Sequence, residues 1–197
     1  MALHLQVILA STRPGRKGPE IGRWFAKYAS NNSDFEIDVV DLSEFDLPVF
    51  DEPHHPVMQK YEHDHTKRWS ETIDKADAYV FVTPEYDHTA PASLINALTY
   101  LSKEWNYKPA GFVSYGGVSG GLRAVQSLKP MMSALKLVPL PEAVTVPGFT
   151  EFLGESGFDA NELHEKGAAD MLAELGKWAG ALKGIRTPVA DKANQAA

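Results

Sequence analysis

The run Ala78 to Thr83 (AYVFVT) constrains the chain most. A short stretch this apolar suits a strand buried on both faces, and that needs a sheet lying between two layers of helices. The flanking sequence supplies those layers. Leu3 to Ala10, rich in Leu, Val and Ile, ends abruptly at Ser11-Thr12-Arg13-Pro14-Gly15, as a buried strand running into a turn would. Ile21, Trp24, Phe25 and Tyr28 then recur at three-and-four spacing behind Pro19, which suits a first helical turn. Phe35, Ile37 and Val39 alternate with Glu36 and Asp38, so a half-exposed strand near a sheet edge is expected next.

The alternation continues. Leu47 to Met58, with Pro48, Pro53 and Pro56, reads as a loop, and Thr66 is placed to cap a short helix that turns Trp69, Ile73 and Ala76 inward. A helix from about Pro91 to Ser102 groups Leu94, Ala97, Leu98 and Leu101, and a strand is expected over Ala110 to Tyr115. After the glycine-rich stretch Gly116 to Gly121, Leu122, Val125, Leu128, Met132 and Leu135 share one helical side, which Pro130 should kink. A last strand falls within Leu137 to Val146, where Pro139 and Pro141 point to an edge. Asp159 and Glu162 have capping-box spacing ahead of a helix that carries Leu172, Leu175, Ala179 and Leu182. Five strands alternating with helices imply an α/β fold with a parallel sheet and right-handed crossovers. No linker interrupts the pattern, so one domain is expected over residues 1–187, with 188–197 as a flexible tail.

Composition narrows the function classes. A length of 197 residues with 44% apolar content suffices for a full core, and a net charge of -7 argues against a general grip on nucleic acid. With no cysteine, disulfides, thiolate metal sites and Cys nucleophiles are excluded. The N-terminal run lacks the basic leader of a signal peptide and nothing has the length of a membrane span, so a cytoplasmic location is expected.

In a parallel sheet of this kind, ligands sit beyond the carboxyl ends of the strands where the strand order reverses. Three loops qualify. Ser11 to Gly18 offers Ser11, Thr12, Arg13 and Arg16 beside backbone N–H groups and a helix N-terminus, a suitable cradle for a phosphate. It is no Walker A loop, since Lys17 is followed by Gly18. Gly116-Gly117-Val118-Ser119-Gly120-Gly121 fails the dinucleotide template at Val118, yet its glycines let main chain approach a flat ring. Pro84-Glu85-Tyr86-Asp87-His88 is a charged turn with one aromatic, and Asp87 with His88 as an acid–base dyad is the minor reading there.

Taken together, Ser11-Thr12-Arg13-Pro14-Gly15-Arg16, then V-T-P-E-Y-D ending at Asp87, then S-Y-G-G-V-S-G-G from Ser114 to Gly121 resemble the NADPH-dependent FMN reductase family over Leu3 to about Pro147. The resemblance implies a flavodoxin-like three-layer fold with strand order 2-1-3-4-5. It also implies bound FMN, NADPH or NADH as reductant, and a small flavin, quinone or azo-dye acceptor. Carried over by position, Ser11, Arg13 and Arg16 would hold the FMN phosphate, with Thr12 and Gly18 in the same turn. Pro84, Glu85 and Tyr86 would border the isoalloxazine, and Gly116, Gly117, Ser119 and Gly120, after Ser114 and Tyr115, would line its other edge. Family members are homodimers or dimers of dimers, and Leu94, Leu98, Leu101 and Trp105 resemble the dimer contact, with plain core packing the equal alternative for any one of them. The family pattern usually has Asn where this chain has Asp87, and an anion near a phosphate is unfavourable for FMN affinity unless protonated or paired.

Because a flavin carries the redox chemistry itself, no essential side-chain acid or nucleophile is expected. Two other readings stand beside this one: an FMN-binding electron carrier or redox sensor, and a metal-dependent hydrolase built on His54, His55, His63 and His65. The second lacks a third spaced ligand and sits in an acidic loop.

Overall fold

The computed structural model describes residues 2–186. Five parallel strands form one sheet: β1 (His4–Leu9), β2 (Glu36–Asp41), β3 (Ala78–Pro84), β4 (Pro109–Gly116) and β5 (Val138–Pro147), in the order β2-β1-β3-β4-β5. This is the doubly wound, flavodoxin-like order, which reverses between β1 and β3. Five helices connect or flank the strands: α1 (Gly18–Asn32), α2 (Asp64–Asp74), α3 (Ala92–Thr99), α4 (Leu122–Ala134) and α5 (Glu162–Lys183). No described helix is long and apolar enough to cross a membrane.

Every residue of β3 and β4 is buried, because each strand has hydrogen-bonded neighbours on both edges and apolar cover on both faces. Tyr79, Phe81 and Phe112 face a cluster with Trp69, Leu94, Leu98, Trp105 and Leu128, while Val80, Val82 and Val113 face one with Ile21, Phe25, Met171 and Leu175. Burying one such side chain is worth about 1.5–3 kcal/mol, so these two layers fix where the strands end.

Some local expectations are corrected. On the edge strand β2, Val40 is buried and Ile37, with Phe35 just before the strand, packs partly buried against the core, whereas Val39 remains 45% exposed. Thr66 does not cap α2: it lies buried inside the helix, which starts after His63. Leu122 opens α4 on its outer side, and the buried face begins at Ala124 and Val125. The capping box of α5 uses Asn161 and His164, with Asn161 Oδ1 accepting from the His164 N–H and His164 Nδ1 accepting from the Asn161 N–H. Asp159 precedes it and belongs to no such box. A two-stranded ribbon, β6 (Leu153–Gly154) with β7 (Gly157–Phe158), was not foreseen. Leu94, Leu98, Leu101 and Trp105 are core residues, each no more than 1% exposed, so they present nothing to a partner chain. The stretch expected as a tail from Pro188 onward lies outside the described residues.

The His164 ring sits against Trp24, Phe152 and Phe158, and burial holds its pKa below the ordinary histidine value. It therefore stays neutral where the unfolded chain's histidine takes up a proton, near pH 6.5. Stability from this group is complete above about pH 6.5 and falls as the pH drops from there toward the lower folded value. His164→Gln retains an acceptor for the Asn161 N–H but cannot titrate. Urea unfolding between pH 7.5 and 5 should show a shallower loss of stability for this variant than for the parent chain.

Candidate functional site

The turns after β1, β3 and β4 come together at the carboxyl rim of the sheet and are hydrogen-bonded in series. Ser11 Oγ and Tyr86 Oη lie 2.8 Å apart, joining the first turn to the second. Glu85 joins the second to the third, its carboxylate accepting from Ser119 Oγ at 2.7 Å, the Arg123 N–H at 3.0 Å and the Arg123 guanidinium at 3.1 Å. The Glu85 N–H also donates to the carbonyl of Tyr115.

The first turn is held in shape from behind. The Arg16 guanidinium donates to both carboxylate oxygens of Asp41, at 2.5 and 2.6 Å, and also to Ser43 Oγ and the Ser11 carbonyl. Burial alone would raise the Asp41 carboxyl, but the bonds from Arg16 and Ser43 outweigh it and keep the group ionised. The pair is charge-neutral, and its bonds tie the first turn to the end of β2. Arg13 is exposed, its guanidinium 6.0 Å from the centre of the Tyr86 ring. Among the described residues no carboxylate pairs with Arg13, and no protein acceptor takes the N–H of Thr12, Arg13 or Lys17. Charge and free donors therefore coincide ahead of α1, where the helix dipole adds to both. Gly18 opens that helix because a Cβ there would stand 2.9 Å from Tyr115 Oη.

The second turn closes on itself through Tyr86 N–H to Thr89 O and Thr89 N–H to Tyr86 O, at 3.0 and 2.9 Å. Asp87 and His88 form its tip at φ 49° and 65°, left-handed values that Asp tolerates better than most residues. Both are exposed, and neither bonds to the other among the described residues.

The third turn is braced from within: Ser114 Oγ donates to the Gly120 carbonyl at 2.9 Å. Gly120 and Gly121 have φ of 59° and 89°, and a Cβ at Gly120 would stand 2.6 Å from Thr145 and 2.8 Å from the Pro147 nitrogen. Gly117 differs, with nothing within 4 Å of its Cβ position. The N–H groups of Gly117, Val118 and Ser119 have no acceptor among the described residues. Three successive donors on an unobstructed strip of backbone fit the polar edge of a planar ring. Gly116 and Tyr115 lie buried beneath them and Pro84 ends β3 alongside.

A cavity of about 730 Å³ opens beside the first turn, lined by Thr12, Ser43, Leu47, Ser93 and Asn96 among others; the second and third turns do not line it. His63 and His65 stack with ring centroids 5.2 Å apart, and His65 Nε2 lies 3.2 Å from Asp51. Among the described residues no three His, Asp or Glu side chains are grouped to hold a metal.

Asp41, Ser43 and Arg123 were missed from the sequence. Asp41-Leu42-Ser43 is the spacing of an Asx turn, and a cation in the first turn of α4 opposes the helix dipole unless an anion sits nearby; both were readable signals.

The two glycines separate shape from stability. Gly120→Ala meets backbone at positive φ and should cost at least about 2 kcal/mol, or about 4–8 °C in thermal midpoint. Gly117→Ala meets nothing in the protein and should unfold within about 0.5 kcal/mol of the parent chain. Thermal and urea unfolding of the pair checks both.

Residues 3–151 match the sequence profile described as NADPH-dependent FMN reductase. The chain is 42% identical over 145 residues to an NAD(P)H-dependent FMN reductase of Schizosaccharomyces pombe, covering 72% of each chain. It is 31% identical over 179 residues to one of Saccharomyces cerevisiae, covering 85% of this chain and 93% of the relative. Among solved structures it is similar to FerB, a flavoenzyme NAD(P)H:(acceptor) oxidoreductase from Paracoccus denitrificans. That match has a TM-score of 0.71 and 20% identity, and covers 91% of this chain and 98% of the other; it is a likeness of fold.

Proposed function

Because the chain belongs to the NADPH-dependent FMN reductase family, we propose that it binds FMN across the three rim turns and serves NAD(P)H-dependent reduction of a small flavin, quinone or azo-type acceptor. The observation that carries this reading is the alignment of an unpaired cation with free N–H groups in the first turn and a bare run of N–H groups in the third. Bound FMN would supply the redox chemistry, hydride transfer between the nicotinamide and the acceptor.

The residues of the chain have three tasks. Arg13, Ser11 and the N–H groups of Thr12, Arg13 and Lys17 bind the phosphate, with Gly18 letting α1 approach. Arg16, neutralised by Asp41, keeps that turn in shape. Pro84 and Tyr86 border the ring on one side, and Gly116, Gly117, Ser119 and Gly120 on the other, where the N–H groups of Gly117 to Ser119 face the charge that reduction places on the ring. No side-chain acid or nucleophile is assigned. Asp87 points its charge to solvent at the turn tip, where it disfavours an approaching anion. A homodimer or dimer of dimers belongs to the same reading, with contacts other than the four core residues named above.

The purified chain should be yellow or become so with FMN, and its flavin absorbance should bleach on anaerobic addition of NADPH. Failure to take up FMN at any practical concentration overturns the assignment. Uptake without steady-state NADPH oxidation indicates an electron carrier instead. Arg13→Ala should raise the FMN dissociation constant about 10- to 100-fold, the loss of a charge-assisted phosphate contact worth about 1.5–3 kcal/mol. Asp87→Asn should lower it a few-fold, and fluorescence titration reads both.

A further inference from the structure

Helix α4 has no capping side chain of its own, since its N-cap is Gly121 and no side chain bonds its first N–H groups from that position. The missing acceptor comes from another turn. Glu85, directly after β3, takes the N–H of Arg123, which stands second in the helix, at 3.0 Å. Its remaining capacity goes to Ser119 Oγ inside the glycine turn and to the Arg123 guanidinium. The side chain is only 8% exposed, whereas its partner Arg123 is 50% exposed. Ser119 passes the constraint on, because its Oγ also accepts from the Gly121 N–H and its carbonyl from the Leu122 N–H.

The glycine turn has few other restraints. Gly117 and Val118 are exposed, and Val118 stands 96% exposed with nothing packed over it. Apart from Glu85, the turn is held by Ser114 Oγ on the Gly120 carbonyl and by the Gly120 and Gly148 N–H groups, both on the Gly117 carbonyl. Glycine backbone without side-chain packing has a large conformational entropy to lose, so a buried anion with three donors adds to the order of the exposed strip.

We propose that Glu85 is a positioning residue: it does not act on the flavin directly but clamps the Gly117–Ser119 strip to the start of α4, and so sets how strongly those N–H groups stabilise a reduced ring. The inference rests on the FMN reading and refines the role of a residue that the resemblance places at the ring border. The clamp discriminates between the two states of the cofactor. Ordered N–H donors favour the more negative, reduced ring, so loosening them weakens reduced FMN more than oxidised FMN.

The test compares Glu85→Ala and Glu85→Gln with the parent chain by two measurements. The first is amide hydrogen exchange over residues 120–125 in the flavin-free chain. The second is the affinity for oxidised FMN together with the reduction potential of the bound cofactor. For Glu85→Ala, exchange should accelerate at least tenfold, oxidised FMN should bind about tenfold and reduced FMN about a hundredfold more weakly, and the potential should fall by about 30 mV, the value of a tenfold change for a two-electron couple. Glu85→Gln keeps one acceptor oxygen and should fall between the two, showing partial rescue. Unchanged exchange overturns the clamp. Accelerated exchange with unaltered affinity and potential overturns its action on the cofactor. If the parent chain takes up no FMN, the functional reading fails and the action on the cofactor falls with it, while exchange in the flavin-free chain decides the clamp separately.

Discussion

Burial of β3 and β4 on both faces is the constraint on which everything else rests. A strand with hydrogen-bonded neighbours on either side and aromatic or β-branched packing above and below cannot shift register without exposing its apolar set to polar surroundings. The carboxyl ends of these strands are therefore fixed points, and Pro84 and Gly116 enter their turns in a set relation. With β1 locked against β3, the first turn is placed as firmly as the other two. The rim is thus a consequence of the core, and the turns need only short polar links to act as one surface.

Those links distribute charge as well as shape. Arg16 with Asp41 and Glu85 with Arg123 are two ion pairs that cancel locally, one behind the first turn and one between the second and third. Partly buried pairs of this kind add geometry more reliably than net stability, because desolvation offsets much of the attraction. Among the described residues of the rim, Arg13, near the Tyr86 ring, and the exposed Asp87 are left outside these pairs.

Much of this was legible in the sequence, and the exceptions have physical reasons. AYVFVT announced the sheet centre because burial on both faces leaves no room for polar residues. The three turns were readable because glycine, proline and hydroxyl residues cluster where strands end. The pairing of Arg16 with Asp41 was not, since it spans 25 residues and depends on β2 lying beside β1. The bonds from Glu85 to Ser119 and to the start of α4 were not legible either, because nothing local reveals that α4 lacks a cap of its own. Leu94 and Trp105 show the same limit: a helical stripe announces that a face is covered without saying by what.

The tip at Asp87 and His88 is bonded only through its own neighbours, Tyr86 and Thr89, and both side chains project into water. Exchanging either residue for another that accepts a left-handed backbone disturbs no packed neighbour. Side-chain chemistry at this tip can therefore diversify between related chains while the scaffold below stays the same.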